Sequence, residues 1–124
     1  MQQNMQLRIM TVKLKLETIE DAIRAWPKYV PNFAGRGLVA QFTGVNRETG
    51  DLRSVTIWES KEILKSNEGR ADIVNQLASF DVYYADKPVW TYFDLTSSYV
   101  DVGKWPAIAA PNDKNEVWYY SYER

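Results

Sequence analysis

One strand-like segment carries residues suited to contact a small molecule. Ser54, Thr56 and Trp58 alternate along it, so their side chains share one face of a strand. In one interpretation, the indole ring and two hydroxyl groups form a wall that faces a ligand. In the other, Trp58 is a core residue whose indole N–H bonds a nearby oxygen. The sequence leaves both interpretations open.

A second segment carries a similar pattern. Trp90 and Tyr92 share a strand face, with Asp94 in line. If they face the same cavity, the Tyr92 hydroxyl could orient a ligand carbonyl. Asp94 would then be removed from water and could act as an acid or a base. We favour the simpler interpretation for Asp94, in which it lies at the strand end in water.

Arg8 is a lone cation on the apolar face that Met10 and Val12 share. Such a residue could anchor a carboxylate. More often a cation at the start of a strand extends its charged end to solvent. Near-neighbour acids lie at predicted helix starts and at a turn, where capping and solvation explain them, and no metal-ligand spacing stands out. We therefore expect no metal site.

The composition excludes several catalytic classes. The chain has 124 residues and contains neither His nor Cys, which removes Ser-His-Asp and Cys-His catalysis, His-ligated zinc, thiolate sites and disulfides. The absence of disulfides is consistent with a reducing compartment, and we expect a cytoplasmic protein without a cofactor. Aromatic residues make up 14% of the chain, so either the core is rich in aromatic rings or rings line a cavity.

Charge and hydropathy exclude other partners. Fifteen basic and sixteen acidic residues give a net charge of −1, which offers no electrostatic case for binding nucleic acid. No run approaches the roughly 20 apolar residues of a membrane span. Aromatic residues after position 101 are interleaved with both acids and bases, so stacking on a single-stranded nucleic acid is disfavoured there.

The elements that position these residues follow from periodicity and turn signals. The sequence predicts strands over residues 6–16, 38–46, 52–59 and 89–95. A shift in apolar phase along the first strand suggests a bulge or burial on both faces. Helices are predicted from Thr18, as N-cap, and from Ser60, with an interruption at residues 67–69. Gly50 suits a left-handed position in a hairpin turn.

The resulting order, β-α-β-β-α-β, predicts an α+β fold of the ferredoxin-like type, in which both helices cover one face of an antiparallel sheet. We expect one domain over residues 1–100. Residues 101–124 are interpreted as a C-terminal arm with a further strand at 116–122, packed on a sheet edge or on a partner subunit. Both faces of the predicted sheet are apolar, so a second copy should cover the face without helices and form a twofold dimer.

The segment 54–62 (SVTIWESKE) and the hairpin 45–50 (VNRETG) resemble those of the antibiotic biosynthesis monooxygenase-like family, as does the early helix that leads through Pro and Gly residues into the second strand. The resemblance covers roughly residues 5–95. It implies a dimeric α/β barrel with a cavity between sheet and helices in each subunit. Family members include cofactor-independent oxygenases of aromatic polyketides, haem-degrading enzymes and proteins of unknown activity.

The sequence departs from the family's catalytic pattern. Trp58 matches the family's Trp, but Ser54 stands where an Asn is common and Leu64 where a Tyr is expected. The haem-degrading members need a His, which this chain lacks, so that activity is set aside.

We therefore expect an apolar cavity that binds a lipophilic molecule with an oxygen function, either a polyketide-like aromatic compound or a fatty-acid-like chain. The protein would be a cofactor-independent monooxygenase or cyclase, or else a ligand-binding or sensing dimer without chemistry. A structural dimer with an aromatic core is the third hypothesis. The predicted lining residues are Trp58, Tyr92, Trp90, Ser54, Thr56, Met10, Phe42, Ile23, Trp26 and Ile73.

Overall fold

The computed structural model describes residues 4–26, 35–101 and 104. Its elements in chain order are β1 (Gln6–Lys13), α1 (Ile19–Ala25), β2 (Leu38–Val45), β3 (Asp51–Trp58), α2 (Lys61–Glu68), α3 (Ala71–Ala78) and β4 (Val89–Asp94). Short 3₁₀ turns lie at Leu16–Thr18 and Asp81–Tyr83.

The four strands form one antiparallel sheet in the order β2-β3-β1-β4. This order is that of the ferredoxin-like fold, so the predicted fold class is confirmed. The second predicted helix is divided into α2 and α3 around Gly69 and Arg70, as the interruption at residues 67–69 indicated.

The strand register decides which residues meet on the helix side of the sheet. Arg8 lies opposite Thr56 on one side and Tyr92 on the other. Met10 lies opposite Ser54 and Trp90 in the same way. Side chains alternate along a strand. The predicted site residues of β3 and of β4 therefore lie on either side of β1, on one face of the sheet.

Of the two explanations for the phase shift in the first strand, a bulge or burial on both faces, the bulge is wrong. The pairing of β1 with both neighbours runs without a shift, and its Leu7 and Ile9 are half-buried on the face away from the helices. The register shift falls in β2, between Leu38 and Ala40. The shift places Leu38 and Phe42 on opposite faces of the sheet.

The structure confirms the predicted turn glycine and one of the two predicted helix caps. Gly50 adopts φ +82°, and a Cβ there would lie 2.7 Å from the carbonyl oxygen of Leu14, so only glycine suits this position. Ser60 caps α2 by accepting a hydrogen bond from the Ile63 amide at 3.2 Å. Thr18 precedes α1 but does not cap it, because its hydroxyl donates to the carbonyl of Lys15 at 2.8 Å.

The core lies between the sheet and α1. It is formed by Met10, Val12, Leu14, Ile19, Ala22 and Leu52. Trp26, after α1, packs edge-on against Phe80 with ring centroids 4.8 Å apart. This contact ties the end of α1 to the segment that follows α3.

The opposite face of the sheet is apolar and has no layer over it among the described residues. Phe42 is 37% exposed and Phe93 is 50% exposed, and Leu7, Ile9, Val55 and Ile57 between them are half-buried. We call this surface the outer face.

Residues 105–124, including the predicted strand at 116–122, lie outside the described residues. Within the part of the chain that the structure describes, no helix is long and apolar enough to cross a membrane.

Candidate functional site

A cavity of about 400 Å³ lies between the helix side of the sheet and the helices. All four strands contribute side chains to it, together with Trp26, Glu68 and α3. Its lining residues are Arg8, Met10, Trp26, Leu38, Gln41, Ser54, Thr56, Glu68, Val74, Gln76, Leu77, Ala78, Asp81, Tyr84, Pro88, Trp90 and Tyr92.

The walls divide into an apolar part and a few polar groups. Aliphatic and aromatic surface comes from Met10, Trp26, Val74, Leu77 and Trp90. Side chains from all four strands and from α2 and α3 supply most of the polar atoms. Small-molecule sites commonly combine an apolar lining with a few placed polar groups.

Three of the polar residues form a connected cluster. Arg8 Nη1 lies 2.9 Å from Glu68 Oε2, and the Tyr92 hydroxyl donates to the same carboxylate oxygen at 2.6 Å. The Arg8 guanidinium also lies over the Trp58 ring, 5.9 Å from its centroid. Since β1, β4 and α2 each supply one member, the cluster fixes the end of α2 against the sheet.

The cluster changes the range in which Tyr92 titrates. Burial of the hydroxyl, its hydrogen bond to Glu68 and the charge of that carboxylate together raise the pKa of Tyr92 to about 12, although Arg8 acts in the opposite direction. At neutral pH the hydroxyl is protonated, as in an ordinary tyrosine, and it donates to the carboxylate. This arrangement can orient a polar ligand group.

Ser54 and Thr56 both line the cavity and are buried. Gln41 Nε2 donates a long hydrogen bond of 3.4 Å to Ser54 Oγ and a shorter one to Thr43 Oγ1. Thr56 Oγ1 accepts from the Trp58 indole at 2.9 Å. The predicted pair of hydroxyls thus reaches the cavity.

Trp58 itself does not line the cavity. It is 1% exposed, and its Nε1 donates to Thr56 Oγ1. Of the two interpretations that the sequence left open, the structure shows the core tryptophan.

Of the other predicted lining residues, four line the cavity and three do not. Met10, Trp26, Trp90 and Tyr92 line the cavity. Phe42 does not, because the shift in β2 places it opposite Val55 on the outer face. Ile23 and Ile73 are also absent from the lining: Ile23 packs on the core cluster, and Ile73 is buried.

Two buried polar atoms on cavity-lining residues have no hydrogen-bond partner among the described residues. They are Trp26 Nε1, a donor, and Gln76 Oε1, an acceptor. A polar atom that is removed from water and left unpaired is costly.

Sequence reasoning missed Glu68, Gln41 and Gln76 as lining residues. Of the two roles that the sequence leaves open for Arg8, the more common one, extension to solvent, is wrong, because Arg8 is 8% exposed and pairs with the Glu68 carboxylate. Its place among apolar neighbours on β1 was the available signal that it needs an acid. Glu68 and Gln76 gave no such signal, because their contacts depend on how α2 and α3 rotate over the sheet.

The described residues hold no group of three or more acidic, His or Cys side chains that could bind a metal ion. Asp94, placed by the sequence at a strand end in water, is exposed and accepts a hydrogen bond from Gln6 Nε2 at 2.5 Å. It does not line the cavity.

Among known proteins, only solved structures resemble this chain. No family model matches the sequence, and no curated protein matches it. Solved structures match over most of the chain. A protein assigned as an antibiotic biosynthesis monooxygenase from Nitrosomonas europaea aligns with a TM-score of 0.64 and 9% identity, over 76% of this chain and 92% of its own.

Two further structures agree. A protein with the same assignment from Caulobacter crescentus aligns with a TM-score of 0.62 and 17% identity, over 77% of this chain and 92% of that chain. A variant of SnoaB, a cofactor-independent oxygenase from Streptomyces nogalater, aligns with a TM-score of 0.61 and 8% identity, over 79% of this chain and 99% of that chain.

The chain has the fold of the antibiotic biosynthesis monooxygenase-like proteins. The resemblance drawn from residues 54–62 and 45–50 is thus confirmed for the monooxygenase-like fold. Identities of 8–17% support the architecture, whereas activity rests on the residues of this chain's own cavity.

Proposed function

We propose that this protein binds a lipophilic, oxygen-bearing small molecule, such as a polyketide-like aromatic compound, in the cavity between sheet and helices. The observation that carries the proposal is the cavity's composition: an apolar lining of aromatic and aliphatic side chains with a few polar groups among them. Its volume of about 400 Å³ lies within the range of roughly 300–1,000 Å³ typical of small-molecule sites.

The polar groups favour an aromatic ligand with oxygen functions over a plain fatty-acid chain. Ser54, Thr56 and Tyr92 place hydroxyls on the wall, and Trp90 offers a ring face. A saturated chain would leave these hydroxyls without ligand partners.

The binding proposal is tested by native mass spectrometry of the purified protein, followed by organic extraction. We expect a small lipophilic molecule to be retained, or to be taken up from a panel of hydroxylated aromatics. A Leu77→Trp variant, which fills the cavity, should lose the ligand. Val82→Trp is the matched control, because Val82 is 63% exposed and does not line the cavity. Equal uptake by both variants would contradict the proposal.

The same proposal includes a homodimer. The outer face presents Leu7, Ile9, Phe42, Val55 and Phe93, and no described residue covers it. A second copy, which carries the same apolar surface, is the occupant that a self-complementary twofold interface requires. Sedimentation as a stable monomer at micromolar concentration would contradict the dimer.

A second candidate function, oxygenation without a cofactor, is favoured by the Glu68 carboxylate on the cavity wall. An anthrone-like substrate has a methylene group across its central ring from a carbonyl, and this methylene is acidic because its anion is conjugated with the carbonyl through the flanking aromatic rings. Glu68 would accept one proton, and the resulting carbanion would pass electrons to O₂. The methylene carbon becomes a carbonyl, O₂ is reduced by four electrons, and one oxygen atom leaves as water. Tyr92 and Arg8, which contact Glu68, would hold the carboxylate in place.

Oxygenation is tested by following anthrone consumption and O₂ uptake, corrected for the spontaneous reaction. Glu68→Gln should lower the rate about 100-fold, a typical value for loss of a general base. Trp58→Phe should retain the rate, because Trp58 does not line the cavity. Ligand uptake with no enzymatic turnover would favour the alternative, a ligand-binding or sensing dimer without chemistry.

A further inference from the structure

The positive charge on the cavity wall is already neutralised by the protein itself. Arg8 is the only basic residue among the described residues that line the cavity. Its Nη1 lies 2.9 Å from Glu68 Oε2, and its guanidinium lies over the Trp58 ring, 5.9 Å from the centroid. The Arg8 side chain is 10% exposed, so its charge is held between a carboxylate and an aromatic ring. Glu68 therefore occupies the place in which a ligand carboxylate would pair with Arg8.

A second carboxylate on the wall has no such balance. Asp81 lines the cavity, and no basic side chain of the described residues forms an ion pair with it. Its charge acts on the neighbouring wall, because burial raises the pKa of Tyr84 to about 12 and the Asp81 carboxylate adds to that rise. With one basic and two acidic side chains, the described lining carries a net charge of −1.

We infer that the Arg8–Glu68 pair makes the cavity selective for an uncharged ligand, such as an aromatic ketone or phenol, and disfavours carboxylates, fatty acids among them. A carboxylate that approached the other N–H groups of Arg8 would share one cation with Glu68, and like charges at one site repel each other. A carboxylate elsewhere on the apolar wall would be removed from water without a partner, which is costly. The inference deepens the proposed function and rests on it.

The pair is compatible with the anion that the candidate oxygenation forms. The methylene C–H bond breaks, its proton passes to a carboxylate oxygen of Glu68, and the electron pair stays on the substrate. Negative charge leaves Glu68 as it develops on the substrate, so the total charge in the cavity is unchanged and Arg8 remains the counter-ion. A ligand that enters as an anion instead brings an additional charge, for which the described wall has no free cation.

The test compares two probes of similar shape, 2-acetylnaphthalene and 2-naphthoate. The first is an uncharged ketone, and the second is a carboxylate at neutral pH. Binding is measured on the full chain by displacement of an uncharged fluorescent lipophile. We expect the ketone to bind at least about tenfold more tightly, because a buried charge without a partner is costly. Equal affinities for the wild type would overturn the inference without any variant.

Any apolar cavity would show part of this preference, so variants assign it to the ion pair. Glu68→Gln keeps the shape of the side chain and leaves the charge of Arg8 unbalanced. We expect this variant to bind 2-naphthoate about tenfold more tightly than the wild type does, as a charge-assisted hydrogen bond implies. Its affinity for 2-acetylnaphthalene should be little changed.

Two further variants complete the test. Glu62→Gln is the matched control, because it makes the same change at an exposed position of α2 that does not line the cavity. It should keep the wild-type affinities for both probes. Asp81→Asn removes the other acid at an exposed position, and it should raise the affinity for 2-naphthoate by a smaller factor than Glu68→Gln.

The outcomes are distinguishable. If Glu68→Gln and Glu62→Gln both keep the wild-type preference for the ketone, the ion pair does not select by charge. The inference is then wrong, whereas the lipophile cavity stands. If neither probe binds to folded wild-type protein, the proposed function fails and the charge selection fails with it.

Discussion

Arg8 and Glu68 form an ion pair on the cavity wall, with 2.9 Å between Nη1 and Oε2, although 60 positions separate them in the sequence. The Arg8 side chain is 10% exposed and that of Glu68 is 29% exposed. The more buried partner is therefore the cation. This difference in burial predicts how much stability is lost when each partner is removed.

Replacing Glu68 with Leu should cost more stability than replacing Arg8 with Met. The first change leaves a buried guanidinium without its carboxylate, whereas the second leaves a partly exposed carboxylate that still accepts from Tyr92. Because breaking a buried pair is costly and replacing both partners is often not, we expect a loss of about 2 kcal/mol for Glu68→Leu. The double variant should recover part of that loss in urea unfolding. A double variant less stable than Glu68→Leu would contradict this account.

Trp58→Phe should affect stability and not ligand binding. The indole is 1% exposed and donates to Thr56, so the change removes a buried hydrogen bond and leaves a small void. We expect the free energy of unfolding to fall by about 1–3 kcal/mol, with the affinity for a hydroxylated aromatic probe such as 2-naphthol unchanged within twofold. Trp90→Phe, on the cavity wall, is the comparison and should alter affinity. A large loss of affinity in Trp58→Phe at unchanged stability would contradict this prediction and show that Trp58 contributes to ligand binding.

The cavity tyrosines should make stability depend on pH above 10. The pKa of Tyr92 is raised to about 12 by burial and by Glu68, and burial and Asp81 raise the pKa of Tyr84 to about 12 as well. The folded state therefore keeps protons that the unfolded state loses near pH 10. This contribution is complete below pH 10 and is lost as the pH rises towards 12.

Urea unfolding at several pH values tests this dependence. Tyr92→Phe and Tyr84→Phe should each reduce the decline in unfolding free energy above pH 10. Tyr99→Phe is the control, because Tyr99 is 86% exposed. Equal slopes for the wild type and both cavity variants would show that these hydroxyls titrate alike in the folded and unfolded states.

A charge on the outer face should prevent dimer formation. Val55 lies on β3 opposite Phe42 and Ile9, near the middle of the apolar surface. We expect Val55→Glu to sediment as a folded monomer at concentrations where the wild type is a dimer. Asn75→Glu changes the net charge equally on α3 and should remain dimeric. A dimeric Val55→Glu protein would place the interface elsewhere.

The alternation of residues in β1, β3 and β4 was enough to predict which side chains share a face. Arg8 with Met10, Ser54 with Thr56, and Trp90 with Tyr92 all occupy the helix side, because a period of two is a local property of a strand. The same rule failed for Phe42, since the shift between Leu38 and Ala40 reverses the phase and is not visible in the sequence.

Which helix-side residues reach the cavity could not be predicted, because this depends on tertiary packing. Trp58 has the expected face but is buried and does not line the cavity. Ile73 points to the core, whereas Gln76 on the same helix lines the cavity. The pairing of Glu68 with Arg8 joins the end of α2 to β1, and no local pattern specifies that contact.

The most direct test of the ligand cavity is a titration of ¹⁵N-labelled protein with 2-naphthol, observed at the tryptophan indole N–H resonances and assigned with single Trp→Phe variants. We expect saturable shifts at Trp26 and Trp90, which line the cavity, and no shift at the buried Trp58. An absence of saturable shifts, or a shift at Trp58 without one at Trp26, would contradict this prediction.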